Sequence, residues 1–273
     1  MEDVLAGRGC DWVFESDRLR IKPRKSQSAK LLFELGERVI PYEAIADVTL
    51  TRGKRGTVVL RVLPRRGADP VMSAAAGQLK ESADPYRLVL PADKETLADY
   101  YAEELRTAMS ATGPVSRFMV AAPPVPRSFK AWDGAATFDG KDVTFTWFWS
   151  GATSAKFATG DQRFSADELE GVDWHAPKGD NGCLRLKVRG RRMPLNPADD
   201  PASVIFGMGH WGATHRSLPF AAAVLAVIPP PPLPVAQGAE VVELITKLGE
   251  LRDAGLLSEE EFQVKKAELL ARM

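Results

Sequence analysis

The sequence predicts an α+β protein built from two tandem antiparallel-β modules, each closed by a C-terminal helix, with a C-terminal helical hairpin appended. Three observations carry that prediction. Residues 10–50 align without a gap onto residues 134–174. In both copies short alternating apolar runs flank tight polar corners, the mark of β-hairpins. A proline strip at 229–234 then sets both copies apart from a helical pattern at 240–272. Strict identities across the repeat are few (Phe14/Phe138, Ser26/Ser150, Phe33/Phe157, Gly36/Gly160, Val48/Val172). The shared register matters more, because a one-residue slip would turn every strand inside out.

The elements follow in order. Trp12-Val13-Phe14, the corner Glu15-Ser16-Asp17 and Arg18-Leu19-Arg20-Ile21 form the first hairpin. Ala136-Thr137-Phe138, Asp139-Gly140-Lys141 and Val143 to Trp147 form its counterpart. Gly36 to Pro41 matches Gly160 to Ser165, and each leads into a further strand at Ile45 or Leu169. After a two-residue length difference, Gly56 to Val62 is matched with Gly182 to Val188, and Asp84-Pro85 with Asp200-Pro201. The first closing helix is expected after Asp93 as N-cap, with Leu97, Tyr101, Leu105 and Met109 as its apolar stripe. The second is expected after Ser217, with Pro219 in its first turn and an almost wholly apolar run to Ile228. The domain reading is a first module at 9–112, a Pro-rich linker at 113–130, a second module at 131–228, a polyproline linker at 229–238 and a helical hairpin at 239–273.

Composition bounds the function. Lys+Arg and Asp+Glu balance at 36 each, so whole-chain charge gives no argument for nucleic-acid or membrane binding. The acidic start Met1-Glu2-Asp3 leads to no expectation of a secretory signal, and no apolar run approaches the ~20 residues of a spanning helix. Cys10 and Cys183 read as reduced structural thiols, and a cytoplasmic location is expected.

The tail is the most specific local signal. Val242, Ile245, Leu248 and Leu251, with Leu244 flanking, mark an amphipathic helix that Gly255 stops. Ser258-Glu259-Glu260-Glu261 forms a capping box, and Phe262, Leu269 and Leu270 carry the next apolar face. The run Leu248-Gly249-Glu250-Leu251-Arg252-Asp253-Ala254-Gly255-Leu256-Leu257-Ser258, continuing to Phe262 and Lys265 to Leu270, closely resembles the bacterial short C-terminal domain family, SHOCT. That resemblance implies an oligomerisation or targeting appendage without catalytic residues. Ala83 to Leu88, Ala122 to Pro126 and Gly134 to Gly140 resemble an actinobacterial family of unknown function that occurs as a tandem pair. It implies a pleckstrin-homology-like fold and no established activity. From the residues alone, a generic split α+β domain is the other form of the same plan.

Apparent chemical motifs resolve into structure. Gly207-Met208-Gly209-His210-Trp211-Gly212 matches a dinucleotide fingerprint literally, but the following helix runs into prolines and no βαβ unit can close. His175, His210 and His215 lack a full set of zinc donors nearby, so neither a metal nor a cofactor is expected. No nucleophile elbow is present, and the chain reads as no enzyme. Phe145, Trp147 and Trp149 share one strand face, expected in the core or between modules.

Two binding readings remain. The first is a non-catalytic cytoplasmic scaffolding protein that self-associates, or docks a partner protein, through Leu244, Ile245, Leu248, Leu251, Phe262 and Leu269, because two helices this short need outside cover. The second is peripheral binding of anionic lipid or phosphate by Arg18, Arg20 and Lys22, which alternate onto one face of the first hairpin.

Overall fold

The structure is a computed structural model, describing residues 3–24, 29–177, 181–207, 214–228, 247–249, 252 and 258–270. The chain divides into two compact units, Met1–Pro229 and Pro230–Met273.

The first unit contains four antiparallel sheets arranged as two tandem β modules. The first module opens with a four-stranded meander of β1 (Asp3–Ala6), β2 (Cys10–Phe14), β3 (Arg18–Pro23) and β4 (Arg38–Pro41), helix α1 (Lys30–Leu35) lying between β3 and β4. A three-stranded meander follows: β5 (Ile45–Arg52), β6 (Thr57–Pro64) and β7 (Arg87–Pro91). Helix α2 (Pro70–Ala75) sits in the β6–β7 connection, and α3 (Glu95–Ala108) closes the module.

The second module repeats the plan. Strands β8 (Arg127–Lys130), β9 (Gly134–Phe138), β10 (Asp142–Trp147) and β11 (Gln162–Ser165) form its first sheet, with α4 (Ser154–Ala158) before β11. Strands β12 (Leu169–His175), β13 (Gly182–Val188) and β14 (Ser203–Phe206) form the next, and α5 (Thr214–Val227) closes it.

Alternation explains the sheets. In β3, Leu19 and Ile21 are fully buried, pairing with Phe14 and Trp12, while Arg18 and Arg20, alternating with them, face outward. The second hairpin pairs Val143 with Phe138 and Phe145 with Ala136. Its corner is fixed chemically: the Asp139 carboxylate accepts the Lys141 and Asp142 amides at 2.8 and 2.7 Å, and Gly140 supplies φ +108°.

Three expectations are corrected by the pairing. Both modules start earlier than positions 9 and 131, because β1 and β8 add a strand to each sheet at matching positions, burying Leu5 and Phe129. Strand β8 therefore occupies the last four residues of the 113–130 stretch. The two-residue length difference before β6 is also absent. Val48 pairs with Val62 and Val172 with Leu186, while Ile45 pairs with Pro64 and Leu169 with Val188. Arg61 thus corresponds to Arg185, and each pair of strands carries its register shift at the same place, Ile45/Asp47 and Leu169/Gly171. A two-residue slip preserves the face of every side chain, which is why the apolar pattern fitted both alignments.

The closing helices differ from expectation too. Asp93 lies in a 3-10 turn, and α3 starts at Glu95 with no side-chain cap. Its buried face is Ala98, Tyr101, Ala102 and Leu105, with Tyr101 stacked on Phe14 at 4.0 Å, whereas Leu97 is exposed. Helix α5 starts at Thr214, so Ser217 and Pro219 lie inside it.

The first module keeps a core of its own around Trp12, Leu19, Ile40, Tyr86 and Leu88, but its helices α1 and α2 also contribute to the core of the second. Leu31 and Leu35 of α1, with Val71, Ala74 and Ala75 of α2, join the cluster that contains Phe129, Phe206 and Phe220 of the second module. Their common partner is α5, which explains why that helix is apolar all round. The Gln78 side chain ties the modules further, donating to the Trp174 carbonyl at 2.8 Å and accepting from the Ala176 amide at 3.1 Å. Burying the three branched residues from the first module stabilises the junction by about 1.5–3 kcal/mol each.

In the second unit, helix α6 (Glu259–Leu270) follows Ser258. The capping box forms as expected: Ser258 Oγ accepts from the Glu261 amide at 3.3 Å, and Glu261 Oε2 accepts from the Ser258 amide at 3.0 Å.

Candidate functional site

Of the tail residues expected to make partner contacts, Leu244, Ile245 and Leu251 lie outside the described residues, as does the side chain of Leu269. Leu248 is half-buried within a helical stretch. Phe262 is buried, with the Arg252 guanidinium 4.8 Å and the Lys266 ammonium 5.8 Å from its ring centre. Two cations over one ring shield its faces while keeping their charges wet.

The cations of the first hairpin are already engaged. Arg18 pairs with Asp17 at 2.8 Å, and Arg20 with Glu15 at 2.7 Å and Glu37 at 2.8 Å. Lys22 also has a partner. An anion arriving here must compete with carboxylates held in place by the same sheet.

Of the aromatic strand, Phe145 is in the core and Trp147 is half-buried, its indole donating to the Gly160 carbonyl at 2.8 Å. Trp149 departs from expectation: it is 85% exposed, because β10 ends at Trp147 and the chain turns away from the core. His175 is exposed, His210 lies outside the described residues, and burial together with Arg216 and Lys30 lowers the pKa of half-buried His215. Among the described residues no group of His, Cys, Asp and Glu is placed to hold a metal ion. Cys10 and Cys183 are both buried, and burial pushes each thiol up to about 11, so both stay protonated at neutral pH.

Sequence reasoning missed two buried polar networks. In the first module Arg38 donates to Asp69 at 3.1 Å and to the Ala121 carbonyl at 2.8 Å, while Tyr86 donates to the second Asp69 oxygen. Burial alone would lower the Arg38 pKa, but Tyr86 and Asp69 outweigh it and the guanidinium stays charged. In the second module Lys156 is fully buried and donates to Asp133 at 2.6 Å and to the Ser203 carbonyl at 2.8 Å, 5.0 Å from the Trp147 ring centre. Burial pulls the Lys156 pKa down and Asp133 opposes it. These positions hold Leu32 and Gly9 in the first repeat. The Lys156–Asp133 pair is therefore particular to the second module, and each network reads as a lock on local packing.

One ion pair is repeated. Arg61 donates to Asp84 at 2.7 Å and Arg185 to Asp200 at 3.0 Å, while each aspartate also accepts an amide two residues on, from Tyr86 or Ala202 at 2.9 Å. The Asp-Pro motifs are thus loop anchors.

Each module also has a groove at the mouth of its first hairpin. The first, about 510 Å³, is lined by Asp3, Phe14, Glu15, Tyr42 and Glu104; the second, about 240 Å³, by Arg127, Phe138, Asp139 and Asp142. The corresponding positions Asp3 and Arg127 carry opposite charge, while Glu15 and Asp139 keep a carboxylate in both grooves.

Comparison with known families agrees with this internal repetition. Residues 12–106 and 136–225 each match the model of a domain of unknown function (DUF4429), together more than half of the chain. Residues 243–270 match the short C-terminal domain, SHOCT. No curated protein matches the chain.

Proposed function

Since the chain belongs to the DUF4429 family, carrying its domain twice ahead of a SHOCT domain, we propose that it is a non-catalytic cytoplasmic scaffold whose tail recruits a second copy of the chain or a partner protein. The observation that carries this reading is the separation of Pro230–Met273 as a unit of its own, with a helix of only 12 residues. A helical pair of that size is marginal in isolation and gains stability from an apolar partner face. The two modules, locked through α5 into one body, then serve as the rigid platform that the tail brings together. Their plan of four strands, three strands and a closing helix supports a pleckstrin-homology-like fold for each.

Anion binding by Arg18, Arg20 and Lys22 is the weaker reading, because carboxylates of the same module already hold the two arginines. Light scattering on the full chain and on a chain truncated after Gly238 tests the proposal. The full chain is expected to have a higher oligomeric state than the truncated chain or to retain a partner that the truncated chain loses. The same oligomeric state and equal partners would overturn it.

A further inference from the structure

The connection between β13 and β14 differs from its counterpart in a way that points outward. In the first module the β6–β7 connection holds α2, whose apolar residues are buried against α5. In the second module the connection spanning 189–202 is shorter and carries no α-helix. Leu195 is fully exposed and Met193 is exposed on it.

Two tryptophans belong to the same end of the module. The turn holding Trp149 is tied to this connection by Thr153, whose hydroxyl donates to the Ala198 carbonyl at 3.2 Å. Trp132, 39% exposed, lies against that turn, since Gly151 approaches its carbonyl so closely that a Cβ there would stand 2.2 Å away. Phe148 closes the junction by donating its amide to the Asp133 carbonyl at 2.9 Å.

The local sequence is basic, although Lys187, Arg189 and Arg191 face carboxylates of the same module: Asp173 at 2.7 Å, Glu170 at 3.9 Å and Asp200 at 3.6 Å. From residue 185 to residue 196 the chain carries Arg185, Lys187, Arg189, Arg191 and Arg192 and no carboxylate. Arg185 is turned inward to Asp200, and its second contact, to the Pro194 carbonyl at 2.5 Å, pins the loop so that Leu195 projects. Arg192 is exposed and has no ion pair among the described residues.

We propose that this end of the second module docks on an anionic lipid bilayer, with Trp149, Leu195 and Met193 entering the interface and Arg192 meeting the headgroups. A protein partner would favour apolar side chains gathered into a packed patch or groove. Here Trp149 stands exposed on one loop, and Met193 and Leu195 on another beside the exposed Arg192, an arrangement that suits the boundary between headgroups and acyl chains. Tryptophan belongs there because its ring is apolar and its N–H remains hydrogen-bonded.

Vesicle sedimentation of the full chain tests this, using equal parts phosphatidylglycerol and phosphatidylcholine against phosphatidylcholine alone. Binding to the anionic vesicles, weakened by added salt, is expected. Arg192→Glu is expected to lower partitioning roughly thirtyfold, and Trp149→Ser with Leu195→Ser by about tenfold or more. All three residues are exposed, so thermal melts of these variants should match the parent. Arg18→Glu with Arg20→Glu should leave vesicle binding unchanged. Failure to sediment with anionic vesicles, equal binding to neutral ones, or indifference to the three substitutions would overturn the proposal. So would a change of solution mass in Trp149→Ser/Leu195→Ser without vesicles, which would assign the surface to a second copy instead.

Discussion

Removing the partner of Lys156 should expose how much the second module depends on one buried pair. Asp133→Ala leaves an ammonium with 0% side-chain exposure, held only by the Ser203 carbonyl and the Trp147 ring. An uncompensated buried charge of this kind costs about 3–5 kcal/mol. For a unit of this size each kcal/mol lowers Tm by about 2–4 °C, so a drop of about 6–20 °C is expected in a circular-dichroism melt. The first repeat supplies the natural control, since it holds Gly9 and Leu32 at the corresponding positions. Asp133→Gly with Lys156→Leu should therefore recover most of the loss. A residual cost of about 1 kcal/mol is expected, because the Ile205 amide loses the Asp133 oxygen that it reaches at 2.8 Å. The pH dependence has a definite sign. Burial holds the folded Lys156 pKa below its ordinary value, so the unfolded chain binds more protons in the alkaline range and stability rises with pH up to the unfolded pKa near 10.4. Without Asp133 that window opens at lower pH, and Asp133→Ala should regain stability as the pH is raised toward the unfolded value. A single substitution costing under about 1 kcal/mol, or a double substitution whose effects merely add, would refute the buried-pair reasoning.

Three further outcomes are expected. Tyr86→Phe should lower stability by about 1–3 kcal/mol in urea titrations, because one Asp69 oxygen loses its donor in a fully buried site; an unchanged midpoint would remove the network. Asp84→Asn and Asp200→Asn should cost similar amounts, about 1–3 kcal/mol each by the same titration, since the two aspartates do the same work in the two modules; tolerance at one site alone would break the equivalence. Cys10 and Cys183, their thiols raised to about 11 and buried, should react with a thiol reagent only once denaturant is added; rapid native labelling would contradict that burial.

Much of the fold was legible where local signals were strong. Both first hairpins, their polar corners and the Ser258 capping box follow from alternation and turn chemistry acting within a few residues. Strands β1 and β8 were not legible, because Asp3–Ala6 and Arg127–Lys130 are four residues each, too short to establish a period. The match of Arg61 with Arg185 was hidden by the two-residue period, which makes neighbouring registers look alike. The buried Lys156 was illegible for a different reason: a lysine on a short helix reads as a solvated residue until its partner 23 positions away is known. The cations of the first hairpin were correctly placed on one face, but their carboxylate partners come from both the adjoining turn and a residue on the far side of α1.

The placement of α5 in a core that begins with α1 and α2 has a consequence for synthesis. The helix emerges from the ribosome long after the residues that it must cover. At ordinary elongation rates Leu31, Leu35 and Val71 wait roughly ten to thirty seconds with their greasy sides bare. Nascent chains of this protein should accordingly lean on a chaperone during that interval, and moving the two halves apart into separate genes would leave the earlier one without its lid.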